Sequence, residues 1–372
     1  MRSFDTFTGG ENSRMAMLPP LRLGYVALND ALPLIIAKEH GIFEKYGLEV
    51  QLSREVGWAT IRDKIEFGEL DAAQALAPMA FAATLGLGNR HPMECVVSLI
   101  LNLNGNAITL AKTLGANAKE HIQSLRKGDF SHRSFGKPTF AVVSEFSSHH
   151  ILLRHWLKKN QINPGKDVHI VVLPPSQMPM VMANGHIDGF CAGEPWSTKA
   201  VANGSGVVAA SSLDIDPGHV EKVLMVSHGF AKKRSESHIR LIAAMIEACE
   251  LCRDVDFRLK QTSMLAGKKY LNCDEASVAV GLEGRISTQE TSRLGVLSDQ
   301  FLRFDDNRPS SKHSRWVLKH MRDAGLMQGV AFDDETISKI VFAEEYYESA
   351  LKLRKQMAAG AVSFAPLVDA GV

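Results

Sequence analysis

The sequence passes from a strand pattern to a helix pattern within Gly185-His186-Ile187-Asp188-Gly189-Phe190-Cys191-Ala192-Gly193-Glu194-Pro195-Trp196. Small apolar residues before Gly193 predict a short buried strand, and Pro195 suits the first turn of a helix. A junction of this kind leaves backbone N–H groups unpaired beside the positive end of the helix dipole. Anions bind readily at such a point. The stretch therefore predicts an anion-binding position at Gly193.

A related stretch occurs earlier in the chain, at Gly68-Glu69-Leu70-Asp71-Ala72-Ala73-Gln74-Ala75-Leu76-Ala77-Pro78. Both stretches begin with Gly-x-x-Asp and carry a proline seven residues after the aspartate. The repetition predicts two similar α/β units. Two such units would face one cleft, with a ligand between the ends of their strands.

Length and charge limit the class of protein. A chain of 372 residues is long enough for two packed cores, because single cores stop growing near about 250–300 residues. Its 42 basic and 41 acidic side chains give a formal charge of +1, which provides no broad field for nucleic acid or an anionic membrane. Five cysteines, an odd number, fit a reducing compartment better than a disulfide framework.

The first twenty residues contain charges and glycines but no apolar core of the kind that a secretory signal has. We therefore expect a flexible leader over residues 1–20 and a cytoplasmic protein. The nearly uncharged stretch from Leu76 to Gly88 is shorter than the roughly 20 residues that a membrane-spanning helix needs.

The order of the patterns predicts an α/β fold. Residues 21–52 form a strand, a turn, a helix and a second strand, which is a parallel βαβ unit. A second unit starts with the apolar run Thr139–Val143, and Val223–Val226 returns the chain to the first lobe. Two crossings between lobes are typical of a hinged ligand-binding protein that closes on its ligand. The predicted divisions are a leader at 1–20, lobe 1 at 21–108 plus 225–372, and lobe 2 at 109–224.

Motifs of common enzymes are absent from the sequence: it has no Gly-x-Ser-x-Gly, no Walker loop and no His-Glu-x-x-His. We therefore predict that the protein is not an enzyme. His149, His150 and His155 invite a metal site, but their helix has no Asp or Cys at ligand spacing, so none is predicted. Cys249 and Cys252 are interpreted as buried thiols.

Four side chains are candidates for binding an anion, and each has a simpler interpretation. His149 begins a helix and can donate to an anion, or it faces solvent. Trp58 lies just inside a helix start, or it is an ordinary core aromatic. Asn102 lies at a strand end, where it either binds or only forms a turn. Lys222 precedes an apolar strand, where a lysine is usually solvated.

Taken together, the sequence resembles the family of nitrate- and bicarbonate-binding solute receptors, which includes NrtA- and CmpA-type lipoproteins and cytoplasmic NasS-type nitrate/nitrite sensors. The resemblance runs from Leu21 onward and implies a two-lobed, periplasmic-binding-protein-like (type II) fold, each lobe a mainly parallel sheet flanked by helices. The motifs that carry it are Gly57-Trp58-Ala59-Thr60-Ile61-Arg62-Asp63, Asn104-Gly105-Asn106-Ala107-Ile108-Thr109, His149 with Leu153-Arg154-His155-Trp156-Leu157, Gly193-Glu194-Pro195-Trp196 and Glu221-Lys222-Val223-Leu224.

The resemblance also implies a ligand site. The family's tryptophan, glutamine, histidine, backbone glycine and lysine match Trp58, Asn102, His149, Gly193 and Lys222, with Asn102 departing from the glutamine. Bicarbonate receptors carry an acidic residue, associated with calcium, where this chain has Lys222. The lysine therefore implies an anion site with no metal and no cofactor.

Nitrate is planar, singly charged and never a hydrogen-bond donor. We therefore expect a site made only of donors, with Lys222 neutralising the ion and avoiding the cost of an unpaired buried charge.

By resemblance, we expect a nitrate/nitrite sensor that regulates nitrate assimilation by holding a NasT-type RNA-binding antiterminator and releasing it when the anion closes the lobes. One alternative is the substrate-binding component of a nitrate ABC transporter. A remote alternative is a two-lobed enzyme similar to thiamin-precursor synthases, whose cysteine-rich signature is missing here.

Overall fold

The computed structural model describes residues 14–15, 19–115, 118–132, 135–285 and 300–364. Within these ranges the strands are β1 (Arg14–Met15), β2 (Leu21–Val26), β3 (Val50–Glu55), β4 (Ala72–Leu76), β5 (Cys95–Asn104), β6 (Asn106–Ala111), β7 (Thr139–Val142), β8 (His169–Val172), β9 (Gly189–Gly193), β10 (Gly206–Ser211), β11 (Val220–Ser227), β12 (Leu302–Arg303) and β13 (Ser363–Phe364).

The α-helices of the described ranges are α1 (Leu32–Glu39), α2 (Ile42–Lys45), α3 (Trp58–Glu66), α4 (Ala77–Leu85), α5 (Ala118–Lys127), α6 (Ser148–Lys159), α7 (Met178–Ala183), α8 (Trp196–Ala202), α9 (Ser212–Ile215), α10 (His228–Lys233), α11 (Ser235–Leu251), α12 (Val255–Lys260), α13 (Thr262–Ala266), α14 (Glu275–Glu283), α15 (Ser311–Asp323), α16 (Asp334–Val341) and α17 (Glu344–Ala358). No helix in this part of the chain is long and apolar enough to span a membrane.

The chain folds into two lobes, each built on its own sheet. The sheet of lobe 1 has six strands in the order β12-β5-β11-β4-β2-β3, and the sheet of lobe 2 has five in the order β10-β6-β9-β7-β8. In both sheets the βαβ strands are parallel, while the strands that carry the crossings run antiparallel to their neighbours. The predicted two-lobed α/β fold is confirmed, but both sheets are mixed rather than mainly parallel, because the strands that carry the crossings and their neighbours pair in antiparallel fashion.

The two related glycine-led stretches occupy equivalent places in the two lobes. One forms β4 in lobe 1 and the other forms β9 in lobe 2, and all five residues of each strand are buried. In lobe 1 the helix follows the strand at once, whereas in lobe 2 two residues separate Gly193 from Trp196, where α8 begins. The repeated pattern thus marks two corresponding strand-to-helix junctions.

The crossings between lobes lie near, but not at, the predicted boundaries. The first is at Gly105, between β5 of lobe 1 and β6 of lobe 2, and so precedes the boundary that we placed after residue 108. Gly105 has φ +95°, and an added Cβ would lie 3.0 Å from Leu302 Cδ1, so the sharp change of sheet requires glycine. The second crossing lies between α9 and β11, so residues 220–224 join lobe 1 rather than lobe 2.

Two residues of the predicted leader form a short strand that pairs with the end of the described chain. Residues 14–15 pair in parallel with residues 363–364 at the far end of the described chain. Most of the predicted leader, 1–20, lies outside the described residues, as does 365–372 of predicted lobe 1.

The cysteine pair belongs to the core of lobe 1. Cys249 and Cys252 are buried thiols, and burial raises the pKa of Cys249 to about 12.

Candidate functional site

The ammonium of Lys222 lies at the centre of a buried cluster between the lobes. Lys222 is on β11, and its side chain has no exposed area. Its Nζ lies 2.6 Å from Glu221 Oε1 and 2.9 Å from Asp30 Oδ2. Burial by itself lowers the pKa of Lys222, but the two carboxylates outweigh it and the pKa lies above its ordinary value. Lys222 is therefore a buried, paired cation rather than a solvated one.

A distortion of β11 brings Glu221 and Lys222 to the same cluster. Neighbouring residues of a regular strand point to opposite faces of the sheet. Here the register between β11 and β5 shifts on both sides of Lys222, between Val220 and Lys222 and again between Lys222 and Val223. An irregularity of this type changes the direction of side chains, so Glu221 and Lys222 face the same cluster although they are adjacent in the chain.

Glu221 connects the lysine to lobe 2. Its Oε1 accepts from His149 Nε2 at 2.9 Å, and its Oε2 accepts from Asn106 Nδ2 at 2.6 Å. His219 Nε2 lies 3.2 Å from the same Oε2. Burial favours the protonated carboxyl, but Lys222 and His149 outweigh it and hold the pKa of Glu221 well below its ordinary value. Glu221 is thus a carboxylate with a nearly complete shell of donors.

Asp30 is the second carboxylate of the cluster. It lies in the single 3₁₀ turn before α1, and its Oδ1 accepts from Gln74 Nε2 of β4 at 2.6 Å. Burial raises the pKa of Asp30, and this effect exceeds the opposing attraction of Lys222. Of the two carboxyl groups, Asp30 is therefore the one that takes up a proton more easily.

His149 faces the cluster from the start of α6 in lobe 2. The helix is capped by the Ser147 hydroxyl, which accepts from the backbone N–H of His150 at 3.0 Å. His149 Nε2 faces Glu221, and its Nδ1 lies 3.3 Å from the carbonyl oxygen of Cys191. Burial lowers the pKa of His149, with Glu221 opposing. Both ring nitrogens lie near oxygen acceptors, but Nε2 also lies 3.4 Å from the Lys222 ammonium, which opposes protonation of the ring.

Trp58 covers the cluster from lobe 1. It is the first residue of α3, is fully buried and packs edge-on against His149 with ring centroids 5.9 Å apart. Lys222 Nζ lies 5.3 Å from the centroid of the indole ring. Within the described chain the Trp58 Nε1–H has no hydrogen-bond partner. Because buried donors are nearly always paired, this N–H is available to a ligand.

Asn102 and Gly193 border the same cluster. Asn102, on β5, lies directly opposite Lys222 on β11, and its amide nitrogen donates to the Asn104 carbonyl at 3.1 Å. Gly193 ends β9, and a Cβ there would lie 3.4 Å from Asn106 Oδ1 and 3.5 Å from Asp30 Oδ2. The structure therefore places Trp58, His149, Gly193 and Lys222 around one cluster, with Asn102 beside Lys222 on the neighbouring strand.

The donor-only site that we expected is wrong in one respect. Asp30 and Glu221 both contact Lys222, so the ammonium already has carboxylate partners. The physical reason is that a lone buried ammonium is costly and the fold supplies counter-charges from the same lobe.

Sequence reasoning missed several members of the cluster, namely Asp30, Gln74, Asn106, His219 and Glu221. Four of them were visible only as polar residues at or near strand ends, a signal that they share with ordinary turn formers, while Gln74 lies in the middle of β4.

Two clefts lie between the lobes. One, of about 260 Å³, has Trp58 on its wall and lies between α3 and α4 of lobe 1 and residues 143–146 of lobe 2. The other, of about 410 Å³, lies between Val26 and Ala27 of lobe 1 and Trp196 of lobe 2. Lys222 and His149 themselves are fully buried, so neither cleft exposes them to solvent.

Known proteins resemble the chain over most of its length. The model of the NMT1-like family matches residues 16–266. The nitrate import ATP-binding protein NrtC of Synechocystis is 36% identical over 310 residues, covering 82% of this chain and 46% of the relative. The nitrate/nitrite binding protein NrtA of Synechococcus elongatus is 29% identical over 346 residues, covering 90% of this chain and 78% of the relative. The chain spans about half the length of the ATP-binding relatives that it matches.

A solved structure agrees with the fold. The crystal structure of the periplasmic nitrate-binding protein NrtA from Synechocystis superposes with a TM-score of 0.81 at 24% identity, covering 91% of this chain and 90% of that one. The periplasmic-binding-protein fold implied by the sequence is therefore confirmed.

Proposed function

This chain belongs to the NMT1-like family and to the NrtA/CmpA-type solute receptors, and we propose that it is a non-catalytic receptor for nitrate or nitrite. The observation that carries the proposal is the meeting of Lys222, His149 and Trp58 in one buried cluster between two lobes. An ammonium, an imidazole and an unpartnered indole N–H are the donors that a planar oxyanion requires. The NrtA relatives, named as nitrate/nitrite binding proteins, support the choice of anion.

The two carboxylates set a condition on anion binding. Lys222 is already balanced by Glu221, and Asp30 adds a further acid to the same site. An incoming anion would leave this buried region with excess negative charge, which is costly in a low-dielectric interior. Proton uptake by both His149 and Asp30 removes that excess. Anion binding is therefore coupled to protonation in our proposal.

Calorimetry with nitrate, nitrite, bicarbonate and sulfate tests the receptor function. We expect heat of binding for nitrate or nitrite and none for sulfate, whose second charge the single ammonium does not balance. Binding of none of the four anions, or of sulfate in preference, would contradict the proposal.

We also propose that the receptor acts in the cytoplasm as a sensor in nitrate assimilation, holding a NasT-type RNA-binding antiterminator and releasing it when the anion closes the lobes. The resemblance to NasS-type sensors supports this role. The balanced net charge of +1 supports an indirect effect on RNA, through a partner. Physically, the partner would favour open lobes and the anion closed ones, so each weakens binding of the other.

The alternative is the substrate-binding component of a nitrate ABC transporter, and the names of the import relatives support it. Co-purification with the antiterminator separates the two roles. The sensor predicts a complex in nitrate-free buffer that dissociates when nitrate or nitrite is added, and that persists with nitrate in the His149→Ala variant. A complex that ignores both anions, or no complex at all, would favour transport.

A further inference from the structure

A second group of metal-ligating side chains lies outside the Lys222 cluster, where the two lobes meet. It consists of His155, Asp216 and His320, whose possible ligand atoms all lie within 4.8 Å of one another. His155 Nε2 lies 3.2 Å from His320 Nδ1, and His320 Nε2 lies 3.4 Å from Asp216 Oδ2. The three residues come from distant parts of the sequence, so no spacing rule along the chain reveals them.

We propose that His155, Asp216 and His320 form a binding site for a divalent transition-metal ion of the Zn²⁺ type. Two imidazoles and one carboxylate are a ligand set that Zn²⁺ accepts, with a water or a fourth group completing the tetrahedron. Bonds of about 2.0–2.1 Å place tetrahedral ligands about 3.3–3.4 Å apart. The separations of 3.2 and 3.4 Å involve different nitrogens of the His320 ring, so only one of them can be an edge of the tetrahedron. With one ligand atom from each residue the three atoms lie within 4.8 Å of one another, and a rotation of the His320 side chain would bring them to the tetrahedral spacing.

The surroundings of the three side chains also suit a metal. The Nε1–H of Trp316 donates to Asp216 Oδ2 at 2.9 Å and holds the carboxylate in place, as partners of metal ligands commonly do. The side chains of His320 and Asp216 are 13% and 25% exposed, so an ion can enter while most of its surroundings stay fixed. The group is neither enclosed nor a loose surface patch.

The position of the group gives the metal a structural effect. His155 lies on α6 of lobe 2, His320 on α15, which packs against lobe 1, and Asp216 on the crossing between β10 and β11. An ion held by all three would tie the lobes together at the hinge. The group also reaches the Lys222 cluster, because His219 contacts the Asp216 carbonyl at 3.0 Å and Glu221 Oε2 at 3.2 Å.

Calorimetric titration of Zn²⁺ into tag-free, chelator-treated protein tests the proposal without any anion. We expect one tight site in the wild type and at least a roughly tenfold loss of affinity in both His155→Ala and His320→Ala, since even partners of ligands cost about 10–100-fold. His228→Ala is the matched control, because His228 also pairs with a carboxylate, Glu94, at 3.1 Å but lies elsewhere. It should bind Zn²⁺ as the wild type does.

A second measurement uses the wild-type fold. Trp316 lies 4.8 Å from His320 between ring centroids, so Zn²⁺ should change its fluorescence, and Trp316→Phe should remove that change. Substituted Co²⁺ should give the visible bands of a tetrahedral site. The proposal is overturned if wild-type protein does not bind Zn²⁺, or if His155→Ala and His320→Ala bind it as tightly as His228→Ala.

Discussion

The two walls of the Lys222 cluster differ in charge. Lobe 1 supplies the ammonium of Lys222 and the carboxylates of Asp30 and Glu221, which pair with one another. Lobe 2 supplies His149 and Asn106, which donate to Glu221 across the gap. Lobe 1 thus pairs one ammonium with two carboxyl groups, and lobe 2 adds hydrogen bonds.

Lobe 2 also contains a buried acid of its own, Glu194, which follows β9. Its backbone carbonyl accepts from the Asn29 N–H of lobe 1 at 2.8 Å, and its carboxylate accepts from the Thr198 N–H at 3.1 Å. Among the described residues no cation pairs with it, and burial raises its pKa to about 7. The contrast shows that burial raises the pKa of an acid, as it does for Glu194 and Asp30, and that of these three acids only Glu221, which has several donors besides the ammonium, has a pKa below its ordinary value.

The largest effect should come from removing the cation of lobe 1. Lys222→Met leaves two buried carboxylates without an ammonium, so we expect a loss of about 3–5 kcal/mol in the free energy of unfolding. Nitrate binding should also disappear. Chemical denaturation and calorimetry measure the two effects.

A matched lysine provides the control for this substitution. Lys199→Met removes a partly exposed ion pair with Asp274, so it should cost at most about 1 kcal/mol. Adding Glu221→Gln to Lys222→Met should restore part of the stability. Equal losses of stability in Lys222→Met and Lys199→Met would show that Lys222 does not stabilise the carboxylates of Asp30 and Glu221.

The unpaired acid of lobe 2 should make stability depend on pH. Because the folded pKa of Glu194, about 7, lies above its ordinary 4.5, its contribution to stability is full below about pH 4.5 and is lost as pH rises through 7. Glu194→Gln should therefore raise stability relative to wild type by up to roughly 3 kcal/mol at pH 8, with the gain vanishing near pH 5.

Denaturant melts at several pH values measure this difference. The exposed Glu335, changed to Gln, serves as the control and should give a flat difference across the range. If the stability difference between Glu194→Gln and wild type is also constant with pH, the pKa of Glu194 is not raised in the folded protein.

Substitution of His149, the imidazole donor of lobe 2, should affect nitrate affinity more than stability. His149→Ala should weaken nitrate binding by about 1.5–3 kcal/mol, the value of a charge-assisted hydrogen bond. Because the pKa of free His149 lies below 6.5, and a bound anion raises it, wild-type affinity should increase as pH falls from 8 towards 6.

Calorimetry in buffers of different ionisation enthalpy detects the accompanying proton uptake. His150→Ala is the control, since His150 is the next residue of α6 and its ring contacts the Glu145 carbonyl instead of the cluster. An affinity that is constant with pH would argue against the coupling of anion and proton.

The smallest effect should come from Trp58. Trp58→Phe removes a buried N–H that has no partner among the described residues, which offsets part of the cost of the smaller ring in this packed position, so we expect only a small loss of stability without ligand. Nitrate affinity should fall by about 0.5–1.5 kcal/mol, one hydrogen bond. Trp196→Phe, which loses a bond to the Ala27 carbonyl at 2.9 Å, should destabilise the protein more. Unchanged nitrate affinity in Trp58→Phe would remove the indole N–H from the site.

Much of the fold was predictable from local pattern. The alternation of Leu21–Val26 and the apolar run before Gly193 gave the two strands that the structure contains, because burial on a sheet imposes that pattern on the residues themselves. Boundaries between lobes were less predictable. A strand of lobe 1 continues to Asn104, past the polar residues that we took as its end, because Asn102 and Asn104 find hydrogen bonds inside the fold.

The sequence alone determined the two-lobed architecture and the five residues Trp58, Asn102, His149, Gly193 and Lys222 as candidates, since residue type and resemblance are properties of the chain. Only the tertiary structure decided that Asp30 and Glu221 share the cluster. The shifted register of β11 turns Glu221 and Lys222 towards one point, and Asp30 reaches it from a distant turn. Such contacts depend on strand pairing between distant segments, which no local pattern of residues encodes.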